Sequence, residues 1–359
     1  MEQSASASSS ASHGQSSYAS SSASHGPVPE PQELLEILHA AIGNGNVAEI
    51  RGIVQQGANI HALGPNGLNA LRHSLLFDNV DVFRTLLELG AQPDINSQGY
   101  DGTLLFVASL LNRLNIVRFL LERGADPNIP CTPLGRSTAL IKASQHGNTD
   151  VVRLLLESGA DPNMQDYEDK TPLVAASIAG HADIVRLMLE RGANPNIRLA
   201  FGQETALLLA SQNGHTDVVR LLLENNADIN IKRLYDGSTA LIQACTEGHA
   251  PIVRLLLEKG ADPNIKRDGE HGDDATALMV AASNGSIQNV RILLAHKADP
   301  TVKTRGGRTA VDEAREQMHM TVVEILEAAI AKRASSGCCV SRKLRRKKSR
   351  CRRSTRRRY

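Results

Sequence analysis

The sequence predicts an α-solenoid: stacked antiparallel helix pairs, joined by turn-rich stretches suited to β-hairpin fingers and flanked by disordered tails. Three observations carry this reading. A short motif centred on alanine returns at Ala58, Ala91, Ala125, Ala160, Ala193, Ala227, Ala261 and Ala298, in steps of 33 to 37 residues. A threonine keeps the same beat at Thr103, Thr138, Thr171, Thr205, Thr239, Thr276 and Thr309. A period of this size marks a solenoid or array. The two ends of the chain lack the apolar residues that folding needs, so the array is placed at residues 32–334.

Residues 1–31 open the chain with twelve serines between Ser4 and Ser24 and almost nothing to bury, which predicts disorder. Within the array, one period shows how a unit is built. Thr205 is an N-cap, and Ala206, Leu207, Leu209 and Ala210 supply a helical apolar stripe. Gly214 stops that helix. Asp217 then sits in the first turn of a second helix, where the helix dipole favours a carboxylate. Val218, Val219, Leu221, Leu222 and Leu223 bury this helix, and the stretch from Asp228 to Gly237 is extended and turn-rich. Six to eight aliphatic side chains cannot offset the entropy of ordering one such unit, so each must stack on its neighbours. The last unit carries Asp312, Glu313, Arg315 and Glu316 where inner units are apolar, which predicts a C-terminal cap. Residues 335–359 form a polybasic tail, kept unstructured by like-charge repulsion.

The pattern Gly-x-Thr-Pro/Ala-Leu-x-x-Ala-x-x-x-Gly-His, followed by Val-Val-x-Leu-Leu-Leu-x-x-Gly-Ala-Asp, resembles the ankyrin repeat. Asp236 to Leu241, Gly248-His249 and Gly260-Ala261-Asp262 make a nearly complete copy, and about nine units lie in register. The resemblance implies a curved stack of helix pairs with hairpin fingers at right angles to it. It also implies a non-enzymatic scaffold that grips a partner protein on its concave face and fingers. The family's histidine after Thr-Pro-Leu is absent, replaced by Arg72, Phe106, Ile141, Val174, Leu208, Ile242 and Met279, so aliphatic packing is expected there. An insertion at 268–273 is expected to protrude as a finger.

Composition narrows the class further. No apolar run approaches the roughly 18 residues of a spanning helix, and the first residues show no secretory signal. Five cysteines in no even framework point to a reducing, intracellular setting, in nucleus or cytoplasm. No catalytic constellation, cofactor loop or metal motif is found, so no enzyme activity, cofactor, metal or small-molecule substrate is expected. His181, His215 and His249 occupy the repeat's Gly-His turn and are read as packing residues. Arg84/Glu88, Arg118/Glu122, Arg153/Glu157, Arg186/Glu190, Arg220/Glu224 and Arg254/Glu258 read as i,i+4 pairs on a solvated face.

Two features point to partners. Leu134, Tyr167, Phe201 and Tyr235 stand four positions before the repeat threonine, and Tyr100 three before Thr103, near each finger tip. By the resemblance this position, and those seven and eight after the threonine, belong to the partner-contacting surface. The latter are Leu76/Phe77, Leu110/Leu111, Gln145/His146, Ile178/Ala179, Gln212/Asn213 and Thr246/Glu247. Basic residues at the finger roots (Arg198, Lys232, Arg233, Lys266, Arg267, Lys303) suggest a partner with an acidic stretch, or solubility alone.

The tail is the second feature. From Lys332 to Arg358 it holds 14 of the 40 lysines and arginines, leaving 26 basic against 38 acidic residues before it. Arg342, Lys343, Arg345, Arg346, Lys347 and Lys348 fit a nuclear-import address read by an import receptor. Sequence-blind attraction to nucleic acid is the second reading. The third is a lipid anchor, with Cys338 and Cys339 beside the basic run.

Overall fold

The structure, a computed structural model, describes residues 30–91, 94–99, 101–270 and 272–334. Nine helix pairs follow one another among the described residues. They are α1 (Pro31–Asn44) with α2 (Val47–Gln55), α3 (Ala70–Ser74) with α4 (Val80–Glu88), and α5 (Leu104–Leu110) with α6 (Leu114–Glu122). Next come α7 (Ala139–Gln145) with α8 (Thr149–Glu157), α9 (Pro172–Ala179) with α10 (Ala182–Glu190), and α11 (Ala206–Gln212) with α12 (Thr216–Glu224). The series ends with α13 (Ala240–Thr246) and α14 (Ala250–Glu258), α15 (Ala277–Ser283) and α16 (Ile287–Ala295), and α17 (Ala310–Glu316) with α18 over 320–334.

The repeat threonine caps its helix as expected except at Thr276, whose hydroxyl has no hydrogen-bond partner among the described residues. Thr103, Thr138, Thr171, Thr205 and Thr239 each accept a bond at the side-chain oxygen from the backbone N–H three residues on. Thr309 completes a reciprocal capping box with Asp312. Helix pairs pack on their immediate neighbours, and one apolar core runs from Leu34 to Leu326. The first helices of successive pairs lie closer together than the second helices, which bends the stack with the first helices on the inside. Side-chain size explains the bend. The first helices meet through the buried small residues Ala143, Ser144, Ala176, Ser177, Ala210 and Ser211, whereas valine, leucine and isoleucine separate the second helices. Phe106, Ile141, Val174, Leu208, Ile242 and Met279 are all buried where the family histidine would stand.

The turn histidines join repeats. His215 and His249 donate through Nε2–H to the carbonyls of Ile178 and Gln212 in the preceding pair, both at 3.0 Å. Gly214 faces the His249 ring, where a Cβ would stand 2.8 Å from it, and its φ of +83° also favours glycine. A second ladder runs along the finger roots. Asn128 accepts from the Asp161 N–H at 2.8 Å and donates to the Gly159 carbonyl. Asn163 and Asn196 repeat both bonds with the next repeat.

Several expectations need adjusting. The fingers are shorter than full hairpins: one or two backbone bonds close them, such as Arg233 N–H to the Ser238 carbonyl at 2.8 Å and Gly237 N–H to the Arg233 carbonyl at 2.9 Å, and only isolated β-bridges occur among the described residues. The inserted stretch does not protrude but folds back on the preceding finger. A Cβ on Gly269 would fall 2.5 Å from the Asp236 backbone, and Lys232 reaches Asp268 at 2.7 Å. On the second helices, none of the expected i,i+4 pairs forms among the described residues: charges pair between repeats, as in Arg51–Glu88 at 2.7 Å and Arg191–Glu157 at 3.9 Å, or three apart, as in Arg84–Asp81 at 3.9 Å. The last unit is polar as expected, with Arg308 on Glu313 and Glu316 and Arg315 on Glu327.

Candidate functional site

Most fingers fold around a residue with left-handed backbone two positions before the capping residue; before Thr103 that residue is Gly102, one position before. Arg136, Asp169, Gln203 and Asp274 fill that place with φ between 53° and 59°. This turn throws the preceding residues outward. Leu134 is 47% exposed, Tyr167 62%, Phe201 79% and Tyr235 58%, so four consecutive fingers present a large apolar group to solvent. Leu234, beside Tyr235, is equally bare and was not singled out from the sequence. Its signal was available, because it lies next to the position that recurs.

The tips are tied together. Tyr167 N–H donates to the Gly135 carbonyl at 2.9 Å, Ala200 N–H to Glu168 at 3.3 Å, and Leu234 N–H to Gly202 at 2.8 Å. Arg136 lies over the Tyr167 ring at 5.8 Å, a cation–π contact that steadies the ring but leaves most of it open. Tyr100 lies outside the described residues, as do the tail residues Arg342, Lys343, Arg345, Arg346, Lys347 and Lys348 and the cysteine pair Cys338 and Cys339.

On the concave side the candidates divide. Phe77, Gln145, His146 and Asn213 are exposed, while Leu110, Leu111, Ile178 and Gln212 are half-buried. Leu111 and Ile178 lean on the core. The Ile178 and Gln212 carbonyls hold the next repeat's histidine, so their backbone is structural while their side chains edge the surface. His146 donates through Nδ1–H to the Lys142 carbonyl and Asn213 to the Leu209 carbonyl, both at 2.9 Å. The face is thus apolar toward the N-terminal end and polar toward the other.

The basic finger roots are not a free cationic strip. Arg233 grips Asp236 in a two-pronged pair and reaches Glu204 at 3.0 Å. Lys232 sits on Asp268, and Arg267 on Asp273 at 2.6 Å. Burial alone would raise the Asp236 carboxyl, but its bonds from Arg233 and Ser238 hold it well below the usual carboxylate range. Lys232, Arg233 and Arg267 are thus spent on carboxylates, whereas Arg198 donates to Gln203 and Lys266 to the Lys303 carbonyl, so the strip left for the suggested acidic partner is Arg198, Lys266 and Lys303. Cys245 is fully buried among the first helices and burial pushes its thiol up, so it is inert. No group of histidine, cysteine and carboxylate side chains fit to hold a metal occurs among the described residues, and no helix there is long and apolar enough to cross a membrane.

Comparison with known proteins agrees with this geometry. A three-copy ankyrin repeat model matches residues 37–131, 105–199 and 197–267, and a many-copy ankyrin repeat model matches 267–314. Among solved structures, the chain is similar to the crystal structure of the human ASB11 ankyrin repeat domain. The identity is 27% and the TM-score 0.55, over 62% of this chain and 97% of that one. No curated protein sequence matches the chain. Repeat pattern, helix-pair geometry and family models coincide over residues 37–314, and the chain belongs to the ankyrin repeat family.

Proposed function

We propose that this protein is a non-enzymatic scaffold that binds a partner protein through the finger tips and concave face of its array. Ankyrin repeats are in general protein-interaction modules, and nothing in the matched families is catalytic. The observation that carries the finer reading is the row of exposed rings at Tyr167, Phe201 and Tyr235, on fingers that main-chain bonds tie together. Large apolar groups held open by a rigid frame are what an interface core needs, because little conformational entropy is lost on binding. The test is the double substitution Tyr167→Ala, Phe201→Ala. Partner affinity is expected to fall at least tenfold with the melting temperature nearly unchanged; a large drop in melting temperature would show the rings to be structural.

The basic C-terminal segment serves in this reading as an address, with nuclear import favoured by its lysine and arginine runs. Deleting 338–359 and imaging the protein checks this. Loss of nuclear signal supports import, loss of membrane signal supports lipid attachment at Cys338 and Cys339, and an unchanged distribution removes both. Nucleic-acid attachment is separated by a pull-down with and without nuclease in high salt, since the tail's contact would be salt-sensitive.

A further inference from the structure

Two histidines close the joint between the first two helix pairs. His39 on α1 and His73 on α3 meet at Nδ1–Nδ1, 3.0 Å apart, with their rings stacked at 4.6 Å. His39 is buried, and its Nε2 has no hydrogen-bond partner. Finger residue Gly64 lies so close that a Cβ there would stand 2.4 Å from the His39 ring. Phe77, 45% exposed at the N-terminal end of the concave face, rests edge-on against His73 at 5.3 Å.

A contact between two Nδ1 atoms holds one hydrogen, donated by one ring and accepted by the other. The neutral pair meets this condition. So does a pair with one extra proton, placed on the donor ring's Nε2. In the neutral pair the donor is His39, whose enclosed Nε2 then carries no hydrogen; the extra proton puts one there, where no acceptor stands. A second extra proton must take the accepting Nδ1, leaving two N–H groups and two positive charges face to face.

The surroundings supply no counter-charge. Burial and then His73 push His39 below its ordinary value, and burial alone does so for His73. Arg72 is turned away to Asp101 and the Gly102 carbonyl. On α2, Arg51 faces Glu88 and Glu49 faces Asn46; on α4, Arg84 lies by Asp81; on α1, Glu33 and Glu36 are exposed.

We propose that His39 and His73 form a proton-operated latch that holds the first helix pair and the finger carrying Gly64 against the second, and that acid opens it. The sign follows from the direction of the shifts. A base held below its ordinary value of about 6.5 contributes stability above that pH and loses it as pH falls. Opening removes the support under Phe77. Resting on the reading of the concave face as a binding surface, the latch makes the N-terminal end of that surface pH-dependent.

Hydrogen exchange on the full chain at pH 7.5 and 5.0, normalised to intrinsic rates, tests this without any partner. Amides of residues 34–44 and 70–77 should lose protection at least tenfold at pH 5.0, while those of 139–258 do not. His73→Gln leaves one histidine, which cannot form the doubly charged pair but is still held down by burial, so the difference should shrink severalfold. Equal protection at both pH values, or a loss undiminished in the variant, overturns the latch. Should the variant loosen the first pair at both pH values, NMR titration of ring-labelled histidine in the unaltered chain decides. Two coupled steps below 6.5 support the latch, and two independent titrations near 6.5 overturn it. Failure of the Tyr167/Phe201 binding test leaves these readouts standing.

Discussion

Ser109, Ser144, Ser177 and Ser211 occupy one repeat phase on the inner helices, fully buried, and their hydroxyls have no hydrogen-bond partner among the described residues. The same place is filled by Cys245 and then Ala282, both fully buried. What the position demands is therefore smallness, which lets adjacent inner helices approach. An enclosed hydroxyl without a partner costs about 1–3 kcal/mol relative to an apolar group of the same shape. Ser177→Ala is accordingly expected to raise stability by about 1 kcal/mol, read as an increased urea midpoint with unchanged slope. A decrease would mean that the hydroxyl makes a bond, for example to a carbonyl of its own helix.

The finger roots show what couples one unit to the next. Asn163 receives the Asn194 N–H and donates to the Gly192 carbonyl, so a single side chain satisfies two main-chain groups of the following repeat. Asn163→Ala removes both bonds and is expected to cost about 1–2 kcal/mol. Asn163→Asp keeps only the acceptor and should fall between. Equal stability of all three proteins in chemical denaturation would discard the ladder as a coupling device. This ladder also marks the limit of reading from sequence. Helix ends were legible because they depend on local chemistry: Thr205 with Leu208, or the backbone of Gly214. The Asp-Pro-Asn repeats at 126–128, 161–163 and 262–264 were visible, but their bonds join residues about thirty positions apart. The partner of Lys232 and the second partner of Arg233 were hidden for the same reason, since Asp268 and Glu204 lie on neighbouring fingers. The exposed places of Tyr167, Phe201 and Tyr235 were legible from phase alone. The half-burial of Leu110, Leu111 and Ile178 was not, because it depends on how closely the inner helices meet.

Stability in a stack of this kind is nearly a sum over units and the joints between them. The terminal units therefore matter for what they cover. Val311, Ala314, Val322, Val323 and Leu326 are buried, with α17 packed on α15. A chain ending at Lys303 would lose that cover, at roughly 2 kcal/mol for each large aliphatic. Aggregation in size-exclusion chromatography and a lower melting temperature are expected, whereas a chain ending at Ala334 should behave as the full one. A monodisperse, equally stable chain ending at Lys303 would deny α17 and α18 their capping role. The bonds from Tyr167, Ala200 and Leu234 to the preceding tips have a further consequence. They are made by main-chain atoms, which almost every substitution preserves. The teeth of this comb can be exchanged one by one through mutation while their pitch stays fixed, so drift can give the protein a new clientele without refolding it. Among natural replacements, proline alone deletes the N–H at those three places and would snap the comb.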